Sequence, residues 1–122
     1  LLIRLDAPGG TRARLADVER VRIVFAEPEG FELLVRSPAS ARPTAQLFQN
    51  DVPVSAADVE AACDAALEIA IPWSDLGAAT DAPIRYCAEL VRGQQVIERI
   101  PAEGMIETSV PSPDFELIMW QA

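Results

Sequence analysis

Five carboxylates lie close together near the end of the sequence, and paired carboxylates are among the few groups here that could do chemistry. They are Glu98, Glu103, Glu107, Asp114 and Glu116. Acid–base hydrolysis needs two such groups several ångströms apart, with the pKa of one raised by burial. Nineteen of the 122 residues are acidic, so neighbouring carboxylates are expected by chance. The pattern therefore favours a solvated acidic surface, and no catalytic residue is predicted.

The remaining composition excludes several other kinds of site. The chain contains no histidine, so neither a histidine-activated nucleophile nor a histidine metal site can form. Its two cysteines, Cys63 and Cys87, are too few for a thiolate zinc site. Each lies in an apolar stretch, which favours a reduced, buried thiol. A disulfide stays open as the alternative, because it requires adjacent strands of suitable geometry. No metal and no cofactor are predicted.

The charge balance limits the partners. A net charge of −9 repels nucleic-acid phosphates and anionic lipid surfaces, and no basic cluster offsets that repulsion. No apolar run approaches the ~20 residues of a membrane-spanning helix. We therefore expect no nucleic-acid or membrane partner. The chain begins "LLIRLD", without a charged leader or cleavage site, as though already inside a strand. This start predicts a cytoplasmic domain that is the C-terminal fragment of a longer protein.

The elements that position these residues are predicted to be short strands. Prolines recur mostly about ten residues apart. Because proline cannot donate a backbone hydrogen bond, this spacing is typical of short strands separated by turns and disfavours long helices. Apolar residues alternate with polar ones in four runs, which predicts one buried face for each. The buried faces are Val21, Ile23 and Phe25; Phe31, Leu33 and Val35; Leu67, Ile69, Ile71 and Trp73; and Ile84, Tyr86, Ala88 and Leu90. Turns at residues 27–30 and at Gly93 predict two hairpins.

One Ala-rich stretch, residues 55–71, is ambiguous between helix and strand. Ser55 and Asp58 could form a helix-capping box, but the alternation from Leu67 and the following Pro72 favour two short strands that meet near Asp64. The next segment, "WSDLG", predicts a single helical turn that Gly77 ends. Together the patterns predict an all-β fold. We expect one antiparallel β-sandwich of about 8–10 short strands over residues 1–122.

The strand "VIERI" does not alternate cleanly, so Glu98 or Arg99 shares a side with apolar residues. Unpaired burial of either charge would cost several kcal/mol, so both are expected to be hydrogen-bonded or paired. An ion pair of Arg99 with Glu68 or Glu89 across the sheet is the specific prediction.

The second half of the chain resembles a known family. The succession "ALEIAIPWSDLG", "YCAELVRGQQVIERIPAEGMIETSVP" and "DFELIMW" resembles the C-terminal region of bacterial glycoside hydrolase family 57 proteins, the α-glucan amylases and branching enzymes. The resemblance covers about residues 65–122, extends weakly to "LLIRLD", and fails over residues 7–60. It implies a β-sandwich similar to DOMON and family 9 carbohydrate-binding modules. It also implies that the catalytic residues lie in a separate (β/α) barrel, so this chain alone is not an enzyme.

Three hypotheses follow for the function. The first is a noncatalytic accessory domain that packs against or positions the catalytic barrel of the same polypeptide. The second is a carbohydrate-binding module that engages α-glucan, with Trp73 and Trp120 as candidate stacking surfaces. Core packing is the simpler interpretation of Trp73 and of Tyr86, whereas Trp120 could seal the sandwich or face another domain. The third is a general protein-interaction domain. "DFELIMW" is expected to be a docked terminal strand.

Overall fold

The alternating segments of the sequence form two antiparallel sheets. In a computed structural model, which describes residues 1–111, ten strands and two short helical segments are present within those residues. The strands are β1 Leu2–Leu5, β2 Arg20–Glu27, β3 Phe31–Arg36, β4 Thr44–Gln49, β5 Val52–Pro53, β6 Glu60–Cys63, β7 Leu67–Ala70, β8 Pro83–Arg92, β9 Gln95–Ile100 and β10 Ile106–Ser109. The all-β sandwich prediction is confirmed.

The larger sheet has seven strands in the order β10-β8-β2-β3-β4-β5, with β9 also paired to β8. Strand β8 is long enough to hold two partners on one side. Its first residues pair with β10 and its last residues pair with β9. The smaller sheet has three strands in the order β1-β7-β6. Among the described strands, both β1 and β9 are therefore edge strands.

The core lies between the two sheets, because each strand turns its apolar residues to the same side. Side chains from the small sheet, including Ile3 and Ile69, join those of the large sheet in one buried cluster. Every alternating face predicted from the sequence is buried except for Trp73, which is half-buried. Trp73 differs because Pro72 ends the extended segment. Trp73–Leu76 then form a 3-10 turn that Gly77 closes in the left-handed conformation, at φ 61°.

The ambiguous stretch forms two strands, as predicted. Strands β6 and β7 pair with Cys63 opposite Leu67, so the chain reverses at residues 64–66. A five-residue helix, α1 (Thr11–Leu15), follows β1. Thr11 and Leu15 are one helical turn apart and both are buried, so α1 packs against one side of the sandwich. The expected terminal strand "DFELIMW" lies outside the described residues.

Candidate functional site

A cleft opens between the end of β1, helix α1 and edge strand β9. Its volume is about 290 Å³. The apolar part of its lining includes Leu5, Leu15, Leu90 and Ile100. Small-molecule pockets commonly measure roughly 300–1,000 Å³, so this cleft can take a group of side-chain size.

Charged residues of both signs surround the opening of this cleft. Arg14 Nη2 on α1 donates to Glu98 Oε1 on β9 at 2.6 Å, which joins two segments far apart in sequence. Arg4 Nη1 donates to Glu68 Oε1 at 3.0 Å, and Arg4 Nη2 lies 3.7 Å from Asp6 Oδ2. An apolar floor below polar groups can bind an amphipathic ligand.

Thr11 fixes the loop between β1 and α1. Its side chain is buried, and its Oγ1 accepts a hydrogen bond from the Ala7 backbone N–H at 3.1 Å. The same hydroxyl donates to Asp6 Oδ1 at 3.3 Å. The hydroxyl thus uses both its donor and its acceptor capacity within the loop, which holds Asp6 at the mouth of the cleft.

The clustered carboxylates do not come together. Glu98 lies opposite the inward-facing Leu90, whereas Glu107 lies opposite the outward-facing Arg85, so the two point to opposite sides of the sheet. Glu103 is exposed in the loop between β9 and β10. Asp114 and Glu116 lie outside the described residues. The structure therefore separates the three described carboxylates.

The predicted ion pair of Arg99 is wrong. Arg99 Nη1 donates to the backbone oxygen of Pro101 at 2.8 Å, and Arg99 Nη2 lies 3.8 Å from the sulfur of Met105. Glu68 belongs to the other sheet, where it pairs with Arg4. Glu89 lies opposite both Arg22 and Arg99, and it pairs with Arg22 at 3.1 Å. Arg99 instead holds the loop that follows its own strand.

Arg22 is the centre of an ion-pair network on the outer face of the large sheet. Its Nε donates to Glu32 Oε1 at 2.8 Å and its Nη1 donates to Glu89 Oε1 at 3.1 Å. On the same face Arg85 Nε lies 3.0 Å from Glu107 Oε1, although the two are not aligned as a hydrogen bond. These contacts neutralise acids on a half-exposed surface.

Four of the five aromatic residues in the described part of the chain lie in the core or pack against it. Tyr86 is buried, its ring lies 5.8 Å from that of Phe25, and burial raises the pKa of its phenol. Trp73 is half-buried and packs against the core, away from the cleft. Trp120 lies outside the described residues. Its suggested sugar contact stays a prediction, as does that of Trp73.

Both cysteines are buried and reduced, which confirms the favoured interpretation over a disulfide. Cys63 lies in β6 of the small sheet, and Cys87 lies in β8 of the large one. Within residues 1–111, no three or more acidic or cysteine side chains group as metal ligands would. No helix in that part of the chain is long and apolar enough to cross a membrane.

The cleft was not predicted from the sequence, because its lining residues come from separate segments that share no motif. The available signal was Gly9 and Gly10 before Thr11, with the apolar Leu15 one helical turn later. Comparison with known proteins adds no relative, since no protein-family model, curated protein or solved structure matches this chain.

Proposed function

We propose that this chain is a noncatalytic accessory domain of a family 57-like glycoside hydrolase that acts on α-glucans. In this proposal it packs against or positions the catalytic (β/α) barrel of the same polypeptide. One observation carries the proposal. The segments that resemble the family form consecutive elements in the expected order: strand β7, the turn ended by Gly77, the β8–β9 hairpin and β10.

The exposed apolar residues are compatible with an accessory role. Within residues 1–111, four large apolar side chains are exposed on β1, β5, β9 and β10: Leu2, Val52, Val96 and Ile106. Leu2 is the most exposed at 68%. Apolar side chains left in solvent can be covered by contact with another domain. The sequence of the upstream reading frame tests this context, because a (β/α) barrel is expected there.

A carbohydrate-binding module is the second candidate, favoured by one specific feature. Trp73 is only half-buried and lies in a short turn, so part of this residue is exposed to solvent. A ring in that position could stack on the apolar face of a sugar. The third candidate, a general protein-interaction domain, is favoured by the sheet edges that have no partner strand within residues 1–111.

The isolated chain is expected to leave α-glucans unchanged. The described carboxylates that could act as acid and base diverge, and the resemblance assigns the catalytic residues to another domain. Incubation with starch, glycogen and maltooligosaccharides, followed by assay of reducing ends and chain length, measures this. Turnover that disappears in Glu98→Gln or Glu103→Gln would contradict the noncatalytic role.

Replacement of Trp73 by alanine is expected to lower the free energy of unfolding by roughly 1.5–2.5 kcal/mol. A fully buried Trp→Ala change costs about 3–5 kcal/mol, and Trp73 is only half-buried. Thermal melts measure the loss of stability, and titration calorimetry with maltooligosaccharides measures sugar binding in parallel. The exposed Leu2→Ala variant is the control. Sub-millimolar sugar binding that disappears in a fully stable Trp73→Ala protein would favour the carbohydrate-binding module instead.

A further inference from the structure

The edge strand β1 presents unpaired backbone groups. Leu1 and Ile71 exchange backbone hydrogen bonds of 2.7 Å and 2.8 Å, so they form a hydrogen-bonded pair of the antiparallel ladder. Such pairs alternate along a ladder, so Ile3 bonds to β7, whereas the N–H and C=O of Leu2 and Arg4 point away from it. Within residues 1–111, no backbone group pairs with this edge.

The cleft lies directly beside this edge. Arg4, Leu5 and Asp6 contribute to its wall, so a strand added to β1 would run along its opening. Side chains of an added strand alternate between the two faces of the sheet. Those facing inward would enter the apolar cleft, while their neighbours would lie on the outer face beside Arg4 and Glu68.

The charged side chains beside β1 and the cleft indicate which kind of partner this edge would bind. Three acids, Asp6, Glu68 and Glu98, share two arginines, Arg4 and Arg14. The carboxylate of Asp6 is the least well paired, since its distance to Arg4 is 3.7 Å. The whole chain carries a net charge of −9, so a second copy would be repelled and a basic partner attracted.

We propose that the edge of β1, which is open within residues 1–111, binds an extended segment of a basic protein by strand addition. The backbone of the segment pairs with Leu2 and Arg4, one apolar side chain enters the cleft, and a cationic side chain contacts Asp6. Strand addition obtains its affinity from main-chain hydrogen bonds and its specificity from pockets for alternate side chains. This proposal goes beyond the accessory role and does not depend on it.

Peptide binding tests the proposal with the intact chain. The probe is a fluorescein-labelled heptapeptide of alternating lysine and valine, titrated by fluorescence anisotropy at fixed ionic strength. We expect the same peptide with glutamate for lysine to bind at least about tenfold more weakly because of its charge. A lysine–valine peptide that is N-methylated at alternate amides should also bind about tenfold more weakly, because it lacks the main-chain donors.

Three variants separate main-chain pairing from charge. Arg4→Pro removes an N–H that faces the open edge and leaves the β1–β7 bonds intact, so affinity should fall about tenfold. Arg4→Ala removes the guanidinium alone and frees Asp6 for the cationic side chain of the peptide, so its affinity should equal or exceed that of the unchanged chain. Ala61→Pro is the matched control, because the Ala61 N–H on β6 faces away from β7 by the same alternation. It should also bind within about twofold.

Several outcomes would overturn the proposal. One is equal affinity of the N-methylated and unmodified peptides, because it would mean that charge attraction alone accounts for the binding. This comparison uses only the unchanged chain, so it does not depend on the folding of any variant. Another is an equal loss in Arg4→Ala and Arg4→Pro, which would assign the binding to the guanidinium. A third is dimerisation in sedimentation that Arg4→Pro abolishes, which would make a second copy the occupant of the edge.

Discussion

Replacement of Leu33 by alanine is expected to lower the free energy of unfolding by roughly 2–5 kcal/mol. Leu33 lies on β3 within a row of cross-strand neighbours, with Ile23 of β2 on one side and Leu47 of β4 on the other. Leu33 and Ile23 are completely buried, and Leu47 is 1% exposed. Because neighbours in a close-packed core relax only partially, the change leaves a cavity. The expected loss is a large part of a total stability of about 5–15 kcal/mol.

Urea unfolding followed by tryptophan fluorescence or circular dichroism measures this effect. The matched control is Leu2→Ala, the same chemical change at a side chain that is 68% exposed. A surface substitution of this kind should change the free energy of unfolding by less than about 0.5 kcal/mol. Similar losses for the two variants would mean that the two sheets do not bury the row through Leu33.

Much of the fold could be predicted because apolar side chains at every second residue identify both a strand and the face that it buries. Val21, Ile23 and Phe25 on β2 are an example, since each faces the core and their polar neighbours face outward. Strand β4 gave no such signal. Only Leu47 among its six residues is fully buried, so its sequence has no clear alternation. Helix α1 was not predicted for a similar reason. Its five residues contain only one buried pair a helical turn apart, Thr11 and Leu15, which is too short a pattern to indicate a helix.

The cleft could not be predicted, because tertiary packing assembles it from separate segments. Leu5 and Leu15 come from the start of the chain, whereas Leu90 and Ile100 come from the β8–β9 hairpin. Their side chains look like ordinary core residues in the sequence. The pairing of Arg14 with Glu98 also depends on where α1 docks, which no local pattern indicates.

Ion-pair partners were equally hard to predict within a sheet whose register was unknown. Glu89 has an arginine opposite it on each neighbouring strand, Arg22 on β2 and Arg99 on β9. Arg22 contacts both Glu89 and Glu32, while Arg99 can reach the carbonyl of Pro101 two residues further on. The choice among these alternatives depends on side-chain geometry. Composition and alternation carry no information about it.

Replacement of Gly30 by alanine is expected to lower the free energy of unfolding by roughly 1–3 kcal/mol, chiefly through backbone strain. Gly30 ends the turn between β2 and β3 at φ 90°, a conformation that residues with a Cβ rarely adopt. A Cβ at this position would also meet Asn50 Oδ1 inside van der Waals contact. Asn50 is exposed, so its side-chain amide can rotate away while its backbone N–H still donates to the Gly30 oxygen at 2.8 Å, and the collision adds less to the loss than the backbone strain does.

Two further variants separate strain from collision, each measured by urea unfolding. Gly77→Ala is the control for strain alone, since Gly77 has φ 61° and no atom within 4 Å of a Cβ built there. Its cost should be about 1 kcal/mol. Adding Asn50→Gly to Gly30→Ala removes the colliding amide, so a double-mutant cycle should recover only the part of the loss that exceeds the backbone strain, at most about 1 kcal/mol. Asn50 itself has φ 49°, which glycine adopts without strain. A recovery of the whole loss would mean that the collision with the Asn50 amide, and not backbone strain, causes it.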